Sequence, residues 1–330
     1  MEKTVHYLET HSQNPYYNLA FEEYVLCHRT EGDYLLLWQN DNTIVVGRNQ
    51  NTEAEINRAF VEEHHINVVR RGTGGGAVYH DLGNLNYSFI TDVGDDGISI
   101  RRFTQPVVAA LRSLGLNAEA SGRNDILVEG RKVSGTAQRR HAGRILHHGT
   151  LLFDANPGMV AGALNVDPEK FRSKSTKSVR ARIGNIRDFL PVDMDLPAFW
   201  TYLKDALSGG GLTPDALTAD ELAAVERLKT EKYDTWAWNY GRSPKFDVTR
   251  KRYWDGGCLE ASVSIADGRI TDIRFCGDFL AVRDMDALLA ALKGTAYRPE
   301  AVRPVLEASP VAELFGAITA DEVIATLFDL

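Results

Sequence analysis

The 330-residue sequence contains only three cysteines, Cys27, Cys258 and Cys276, which lie far apart. An odd number at this spacing matches neither a disulfide framework nor a zinc site, so we expect each thiol to be a small buried side chain. The sequence has no run of eighteen apolar residues, which argues against a transmembrane helix. Its first residues lack the apolar core of a signal peptide, so we expect a cytoplasmic protein.

The sequence also has fewer positive than negative charges. It contains 37 Lys and Arg residues and 45 Asp and Glu residues, which gives a net charge of −8. This balance argues against a protein that binds nucleic acid through its bulk charge. The phosphate-loop pattern G-x-x-x-x-G-K-[ST] does not occur, which excludes a P-loop kinase. The apolar and charged fractions are those of an ordinary globular protein, and the length allows one large domain or two.

The most informative segment that is present runs from Arg70 to Asp81 and reads RRGTGGGAVYHD. Three successive glycines, Gly74 to Gly76, remove every Cβ and let backbone N–H groups approach a ligand closely. Arg70 and Arg71 beside them can donate bidentate hydrogen bonds to phosphate or carboxylate. The segment therefore predicts an anionic ligand that lies against the backbone.

Two alternatives exist for this segment. The spacing Gly72-x-Gly74-x-x-Ala77 partly fits a dinucleotide-binding turn, with Asp92 about twenty residues further on. That turn must open a helix, whereas residues 85–90 alternate like a strand, so the context argues against it. A glycine-rich hairpin without a ligand is the other alternative, which the paired arginines and the His80-Asp81 pair make less attractive.

Helix and strand signals alternate along the first part of the chain. The patterns predict an amphipathic helix at 18–26, strands at 34–38 and 43–47 joined by a turn, a helix at 53–65, strands at 66–69 and 85–90, a helix at 103–115, two strands with a Glu-Gly turn at 124–135, a strand at 145–153 and a helical region at 196–232. The sequence thus predicts mixed sheets flanked by helices.

The composition changes near Pro244. Beyond it, residues 257–265 and 270–275 alternate like a hairpin around Asp267-Gly268, and helices are expected at 285–293, at 299–306 and from Asp321. We therefore predict two domains, a catalytic domain at residues 1–243 and a small α+β domain at residues 248–330. No coiled-coil repeat occurs, so a monomer is expected.

Lys132 follows the predicted Glu-Gly turn, where a surface lysine on a hairpin would be the ordinary interpretation. The segments on either side of Lys132 in the sequence favour a functional role instead. The segments at 131–137 and 147–153, together with Arg70 to Asp81, resemble the bacterial lipoate–protein ligase A family at matching spacing. The likeness extends to 18–20, Trp38, 46–50 and 124–125, and residues 238–246 resemble the start of that family's accessory domain. The family has two small hydroxyl residues where this chain has Gly72-Thr73.

The resemblance implies an α+β fold with a large biotin/lipoate-ligase-like catalytic domain and a small α+β accessory domain. It also implies ATP-dependent ligation of lipoate to a carrier lysine through lipoyl-AMP, with release of pyrophosphate. ATP and Mg²⁺ would be required, and octanoate could replace lipoate. The carriers would be lipoyl domains of 2-oxoacid dehydrogenase E2 subunits or the glycine-cleavage H protein.

Site residues follow from the resemblance, position by position. Contacts to ATP or lipoyl-AMP are expected at Arg71, Gly75, Gly76, Ala77, Val78, Tyr79, His80, Lys132, Ala137, His148, Ser178 and Arg180. Lipoate contacts are expected at Leu19, Trp38, Val46, Gly47, Arg71 and Lys132. Asn124 and Asp125 are candidate Mg²⁺ ligands, with Asp125 as a plain turn residue the open alternative.

The chemistry can also be read from these residues. The Lys132 ammonium would stabilise the charge that gathers on the α-phosphate during adenylation. His80 and His148 are candidate polar partners in the transfer of the acyl group to the carrier lysine. The alternative is that they are buried histidines with a structural role. The basic loop at 174–182 would cover the adenylate.

Three alternative functions remain. An octanoyl or lipoyl transferase acting without ATP would need a cysteine nucleophile, and no cysteine occurs between Cys27 and Cys258. A biotin ligase would share the fold, but the Arg70 to Asp81 segment fits lipoate better. A non-catalytic protein that binds lipoate or the carrier would have no need for Lys132 and Arg71.

Overall fold

The computed structural model describes residues 5–94, 99–122, 124–164, 183–208, 211–240 and 247–328. Its strands are, in chain order, β1 (Val5–Glu9), β2 (Asp33–Trp38), β3 (Thr43–Val46), β4 (Asn67–Arg70), β5 (Val78–His80), β6 (Asn84–Asp92), β7 (Ala118–Ser121), β8 (Asp125–Val128), β9 (Arg131–His141), β10 (Arg144–Leu152), β11 (Leu212–Pro214), β12 (Val248–Trp254), β13 (Gly257–Ala266) and β14 (Arg269–Gly277). Its helices are α1 (Pro15–His28), α2 (Thr52–Glu55), α3 (Arg58–Glu63), α4 (Ile100–Ser113), α5 (Pro157–Ala163), α6 (Leu196–Leu207), α7 (Ala219–Leu228), α8 (Trp236–Asn239), α9 (Asp286–Leu292), α10 (Pro299–Glu307), α11 (Val311–Phe315) and α12 (Ala320–Phe328).

Three sheets organise these strands in the described part of the chain. The largest has the order β11-β1-β2-β6-β10-β9-β8-β7, the second is β4-β3-β5 and the third is β12-β13-β14. The strands predicted at 34–38 and 43–47 are both present, but β2 and β3 belong to different sheets. The turn between them therefore carries the chain from the large sheet to the small one, and this crossing brings the two sheets together around one cavity.

The hairpin of β8 and β9 forms at the predicted Glu-Gly turn. Glu129 and Gly130 have φ angles of 48° and 74°, the left-handed conformation that a two-residue hairpin turn requires. Glycine adopts it without strain, which explains why the chain reverses here. The turn fixes where β9 starts, and so it fixes the position of Lys132.

The helix predicted at 53–65 is interrupted. The structure has two short helices, α2 and α3, with Ile56 between them in extended conformation and bridged to Leu164. Asn57 then caps α3 by accepting a hydrogen bond from the backbone N–H of Phe60. Burial of Ile56, which is 2% exposed, outweighs the helical pattern that the local sequence shows.

Helix α1 begins at Pro15, where the Asn14 side chain accepts hydrogen bonds from two backbone N–H groups. The expected amphipathic pattern is wrong, because both sides of the helix are largely buried between the large sheet and α7. Two carboxylates are buried with it, at Glu22 and Glu23. A buried charge requires partners, so α1 must face polar groups inside the protein.

The C-terminal sheet and helices α9 to α12 share a hydrophobic core of their own, which includes Leu259, Phe279 and Phe315. The predicted hairpin at Asp267-Gly268 is present. Strand β12 and helix α11 were not predicted, because the three consecutive basic residues at 250–252 break any alternation in β12 and α11 is only five residues long. Among the described helices, none combines the length and the apolarity needed to cross a membrane.

This C-terminal unit lies directly on the glycine-rich segment. The backbone N–H of Gly74 donates to the carbonyl of Ala281 at 3.3 Å, and that of Gly75 donates to the carbonyl of Phe279 at 3.1 Å. A salt bridge of 2.8 Å joins Arg140 to Glu313 nearby. The position of the glycines therefore depends on contacts from both parts of the chain.

Candidate active site

A cavity of about 130 Å³ lies between the large sheet and the glycine-rich segment. It is lined by Leu19, Trp38, Val45, Arg71, Gly75, Gly76, Ala77, Val78, His80, Asn86, Asn124, Lys132, Gly135, Thr136, Ala137, His148, Gly149 and Thr150. Most of these are apolar groups or backbone, with a few polar side chains between them. Such a composition is typical of a pocket for a small organic ligand.

Strand register decides which side chains form the cavity floor. Asn86 on β6 is paired with Trp38 on β2 and with Thr150 on β10, so these three stand in one row on one face of the sheet. The next row on the same face contains His148 and Ala137, which are also paired. The floor is thus a rigid sheet, which positions functional groups more precisely than a loop would.

A bulge in β9 directs Lys132 to the cavity. Ile126 is paired with Ser134 while Leu127 is paired with Lys132, so Val133 is an extra residue in β9. Without it, Lys132 would point to the opposite face from Gly135, because side chains alternate along a strand. A Cβ added to Gly135 would be 3.0 Å from Nζ of Lys132, so the lysine chain lies over this glycine.

Nζ of Lys132 forms a salt bridge of 2.7 Å with Oδ1 of Asp125. Both side chains are about one-third exposed, and Lys132 lines the cavity. The neighbouring Asn124 uses its amide N–H to hold the backbone carbonyl of Thr136 at 2.8 Å. In the described residues, no cluster of three or more His, Cys, Asp or Glu side chains could hold a metal ion. Asn124 and Asp125 by themselves therefore do not form a complete metal site.

Arg71 lines the cavity, but its guanidinium is occupied by the glycine-rich segment itself. It donates to Oγ1 of Thr73 at 2.9 Å and to the carbonyls of Val45 at 3.1 Å, Gly74 at 2.6 Å and Gly76 at 2.9 Å. Burial lowers the pKa of Arg71 to about 10, which still leaves it charged at neutral pH. In this structure Arg71 therefore shapes the loop from within.

A chain of buried hydrogen bonds runs behind the cavity wall. Nδ1 of His148 lies 2.9 Å from Oε1 of Glu22, and Nε2 lies 2.8 Å from Oγ1 of Thr73. Glu22 also accepts from Ser88 at 2.6 Å, and Ser88 accepts from Nε1 of Trp38 at 2.9 Å. This chain links the glycine-rich segment to the apolar wall and fixes the orientation of the imidazole and indole rings.

His80 is the second histidine of the cavity. Its Nδ1 lies 3.1 Å from the amide nitrogen of Asn40. Burial and, to a smaller extent, the positive charge of Arg71 lower the pKa of His80 to about 3, so the ring is neutral at physiological pH. It can serve as a hydrogen-bond donor or acceptor there, but not as a cation.

Several residues expected at the site lie elsewhere. Val46 and Tyr79 belong to a separate cluster behind the small sheet, where the Tyr79 hydroxyl donates to Asn42 at 2.9 Å. Because side chains alternate along β3, Val45 faces the cavity instead of Val46. A Cβ on Gly47 would meet the carbonyl oxygen of Gly75 at 1.9 Å, so Gly47 supports the loop from behind.

The other expected lining residues are found together. Leu19, Trp38, Arg71, Gly75, Gly76, Ala77, Val78, His80, Lys132, Ala137 and His148 all line the cavity, as does Asn124. Ser178, Arg180 and the loop at 174–182 lie outside the described residues, as do residues 241–246.

Sequence reasoning did not single out Glu22, Asn40 or Asn86, although all three are at most 3% exposed around this cavity. The sequence did carry a signal for Asn86, because it is a polar residue in the middle of β6, a strand whose residues are nearly all buried. Glu22 offered no local signal, since a glutamate on a helix is usually solvated.

Matches to two family models identify the class of protein. The family model of the lipoyl protein ligase A/B catalytic domain matches residues 14–208, and the model of the bacterial lipoate protein ligase C-terminus matches residues 243–327. Both the resemblance and the fold class predicted from the motifs are confirmed.

Two proteins with similar sequences identify the family within this class. A lipoate-protein ligase of Bacillus subtilis, LplJ, is 42% identical and covers 96% of this chain and 97% of its own length. Lipoate–protein ligase 1 of Staphylococcus aureus is also 42% identical, covering 94% of this chain and 96% of its own length. The chain therefore belongs to the lipoate–protein ligase family and is an enzyme of that family.

Solved structures agree. A lipoate-protein ligase A bound with ATP has a TM-score of 0.64 at 29% identity and covers 73% of this chain and 99% of its own. LipL1 of P. falciparum in complex with lipoate has a TM-score of 0.82 and covers 99% of both chains, and its 24% identity makes it evidence for the fold alone.

Proposed function

We propose that the protein ligates lipoate to a specific lysine of a carrier domain in an ATP-dependent reaction. The observation that carries the proposal is the position of Lys132. A β-bulge places its ammonium at the mouth of the cavity that the glycine-rich segment covers. A lysine ammonium fixed beside an apolar slot suits the adenylation of a carboxylate attached to an apolar tail.

In the first half-reaction, a carboxylate oxygen of lipoate attacks the α-phosphorus of ATP. The bond from the α-phosphorus to the bridging oxygen breaks, and pyrophosphate leaves with the electron pair. Negative charge gathers on the α-phosphate oxygens in the transition state, where the Lys132 ammonium stabilises it. The ammonium keeps its proton throughout, so Lys132 acts by charge.

In the second half-reaction, the carrier amine attacks the acyl carbon of lipoyl-AMP. The bond from the acyl carbon to the phosphate oxygen breaks, AMP leaves, and the new amide nitrogen loses a proton. Leu19, Trp38 and Val45 would hold the tail of the acid, while the backbone of Gly75 to Val78 would contact the nucleotide. The dry apolar wall also protects the adenylate from water.

Mg²⁺ would enter with the phosphates of ATP. Mg²⁺ is commonly held by one or two protein oxygens together with substrate phosphates and water. We expect the carboxylate of Asp125 and the amide oxygen of Asn124 to be these protein oxygens, because Asp125 pairs with Lys132 and Asn124 lines the same cavity as Lys132. The ion would supply further charge neutralisation at the phosphates.

Ser178, Arg180 and the loop at 174–182 would cover the bound nucleotide, by analogy with the family. We also propose that residues 1–243 form the catalytic domain and residues 248–330 the accessory domain. The separate core of residues 259–327 supports the two-domain division.

The acceptor is proposed to be a lipoyl domain of a 2-oxoacid dehydrogenase E2 subunit or the glycine-cleavage H protein. One solved structure is of a bipartite lipoate protein ligase and its E2 lipoyl domain from Thermoplasma acidophilum. The matching chain is 32% identical to this chain, with a TM-score of 0.64, and the match covers 75% of this chain and 100% of that chain. That likeness supports the lipoyl domain first. We expect a cytoplasmic monomer that binds neither nucleic acid nor membrane.

An ATP-independent acyl transferase is the main alternative. It would need a cysteine nucleophile at the cavity, but none of the three cysteines lines it. Cys258 and Cys276 are buried in the C-terminal unit, and burial raises the pKa of the half-buried Cys27. Thiolate attack on a bound acyl group is therefore disfavoured.

The deciding experiment compares the wild type with Lys132→Ala, using Mg-ATP, lipoate and an apo lipoyl domain. We expect the wild type to release pyrophosphate and lipoylate the carrier, and the variant to lose both. Lys293→Ala, which removes an exposed lysine paired with Asp272, is the matched control and should retain activity. Absence of pyrophosphate with a folded carrier present would favour the transferase.

A further inference from the structure

Four buried side chains form one hydrogen-bonded chain from the glycine-rich segment to helix α1. They are Arg71, Thr73, His148 and Glu22, which are 7%, 0%, 8% and 3% exposed. Nε of Arg71 donates to Oγ1 of Thr73 at 2.9 Å, and this oxygen lies 2.8 Å from Nε2 of His148. Nδ1 of His148 lies 2.9 Å and 3.0 Å from the two carboxylate oxygens of Glu22. A cation therefore stands at one end of the chain and a carboxylate at the other.

The Arg71 end determines which nitrogen of His148 carries the proton. A guanidinium can only donate, so the Thr73 oxygen accepts from Arg71. In the described part of the chain, the one acceptor that the Thr73 hydroxyl contacts is Nε2 of His148. The hydroxyl must donate to Nε2, because a buried hydroxyl without an acceptor is costly. The proton of the neutral ring is therefore on Nδ1, which donates to Glu22.

The other neighbours of Glu22 give the same result. The indole N–H of Trp38 can only donate, so Ser88 accepts it at 2.9 Å and gives its own hydrogen to Oε1 of Glu22 at 2.6 Å. Glu22 thus accepts from Ser88 and from His148 and donates to neither, as an ionised carboxylate does. Every polar hydrogen of the chain then has an acceptor.

Arg71 has no carboxylate among its direct hydrogen-bond partners in the described residues. Its four acceptors are three backbone carbonyls and the Thr73 hydroxyl, all of them neutral. A buried charge is costly unless an opposite charge or oriented dipoles compensate it. Burial lowers the pKa of Arg71, and the negative charge of Glu22 opposes that decrease. Glu22 is therefore the counter-ion of Arg71, and Thr73 and His148 connect the two.

We propose that Glu22 and Thr73 are positioning residues for ATP, which act through Arg71 on the glycine-rich segment. This inference rests on the proposed function. Nη2 of Arg71 holds the carbonyls of Gly74 and Gly76, and so it sets the backbone that we expect to contact the nucleotide. The Thr73 hydroxyl holds Nε of the same planar group. A guanidinium bound at both places keeps one orientation, which the carboxylate of Glu22 stabilises through the chain.

Replacing Thr73 separates its hydroxyl from its shape. Thr73→Val removes the hydroxyl at nearly the same volume, and pyrophosphate release is measured with lipoate, Mg-ATP and an apo lipoyl domain. We expect the KM for Mg-ATP to rise by about tenfold, the equivalent of one hydrogen bond, while kcat changes by less than about twofold because Lys132 keeps its position. Thr73→Ser returns the hydroxyl and should restore the wild-type KM.

Thr91→Val is the matched control, because Thr91 is also buried but its hydroxyl has no partner among the described residues. Its KM for Mg-ATP should equal that of the wild type. A KM for Thr73→Val within about twofold of the wild type, or one that Thr73→Ser does not restore, would overturn the proposal.

Glu22→Gln tests the far end of the chain. It removes the charge at nearly the same size, so we expect a similar rise in the KM for Mg-ATP. Because either substitution alone breaks the chain, the double variant with Thr73→Val should be no worse than the more affected single variant. Effects that multiply in the double variant would mean that the two residues act independently, against the proposal.

The protonation of His148 can be measured without turnover. In protein labelled with ¹⁵N-histidine, the ring signals of His148 are identified by their loss in His148→Phe. We expect a proton on Nδ1 and none on Nε2, and a proton on Nε2 would contradict the inference. If the wild type forms no pyrophosphate, the proposed function fails. The dissociation constants of Mg-ATP for the wild type and Thr73→Val, measured by calorimetry, then still test the positioning role, and equal constants would overturn it.

Discussion

At the scale of single residues, two buried histidines make stability depend on pH. Burial lowers the pKa of His80 and of His147 to about 3, from an ordinary value of 6.5. Between these values the unfolded chain binds a proton at each position and the folded protein does not. Stability is therefore complete above pH 6.5 and falls as the pH drops below it, by about 1.4 kcal/mol per pH unit for each histidine.

Urea unfolding between pH 7 and pH 5 measures this slope. His147→Phe should reduce the slope by about one proton, because one of the two titrating groups is gone. The stacking of ring 147 on Phe103 should be preserved in part by the aromatic replacement. A variant with the same slope as the wild type would show that His147 does not contribute.

Glu23 is a buried carboxylate whose charge stabilises the folded protein. Its carboxylate contacts Arg139 at 3.0 Å, Lys232 at 2.6 Å and the Tyr233 hydroxyl. Burial alone would raise the pKa of Glu23, but the two cations lower it to about 2. The stabilisation is present above pH 4.5 and is lost as the pH falls towards 2.

We expect Glu23→Gln to lower the free energy of unfolding at pH 7 by about 3–5 kcal/mol, because it leaves two partly buried cations without their counter-ion. Glu62→Gln is the matched control, since Glu62 forms an exposed pair with Arg58. Its effect should be within about 0.5 kcal/mol. Equal effects of the two substitutions in urea titrations would be evidence against this account.

At the scale of elements, the bulge in β9 fixes where Lys132 lies, so we expect the chemistry to depend on it. Gly135→Ala would place a Cβ 3.0 Å from Nζ and 3.1 Å from Cε of Lys132. The lysine chain can move away at little energetic cost, so stability should hardly change. The ammonium would leave its position, and we expect the rate of pyrophosphate release to fall by about a hundredfold.

Pre-steady-state pyrophosphate release and urea unfolding, measured on the same protein, separate the two effects. Gly211→Ala provides the control, because an added Cβ there meets nothing within 4 Å. An unchanged rate in Gly135→Ala would mean that the exact position of Lys132 is unimportant. Loss of stability together with loss of rate would mean that the bulge itself had been disrupted.

At the scale of the whole molecule, the C-terminal unit and the glycine-rich segment are in close contact at Gly74. A Cβ at this position would lie 2.7 Å from the backbone nitrogen of Ala281 and 2.8 Å from the carbonyl oxygen of Phe279. Backbone atoms cannot move aside as a side chain can, so the two parts must separate. We expect Gly74→Ala to reduce amide exchange protection at 279–282 by about tenfold or more.

Hydrogen exchange followed by mass spectrometry can resolve that segment. Gly76→Ala is the matched control for exchange, because its Cβ would come no closer than 3.9 Å to Asp278. If protection at 279–282 is the same in both variants, the contact does not depend on Gly74.

The sequence by itself determined the local structure and the class of chemistry. Turns such as Glu129-Gly130 and Asp267-Gly268 depend on the φ angles that the two turn residues can adopt. They can therefore be predicted from a short stretch of sequence. The glycine-rich segment predicted an anionic ligand from residue type and spacing alone, whereas the role of Lys132 followed from the family resemblance.

Only the tertiary structure decided which side chains meet in the cavity. Glu22 and His148 are 126 positions apart and touch because α1 packs across the large sheet. The extra residue at Val133 reverses the direction of Lys132, which no periodicity of the sequence reveals. Asn86 and His80 face one cavity because β5 and β6 belong to different sheets. Such contacts depend on the order and register of strands, which long-range packing selects.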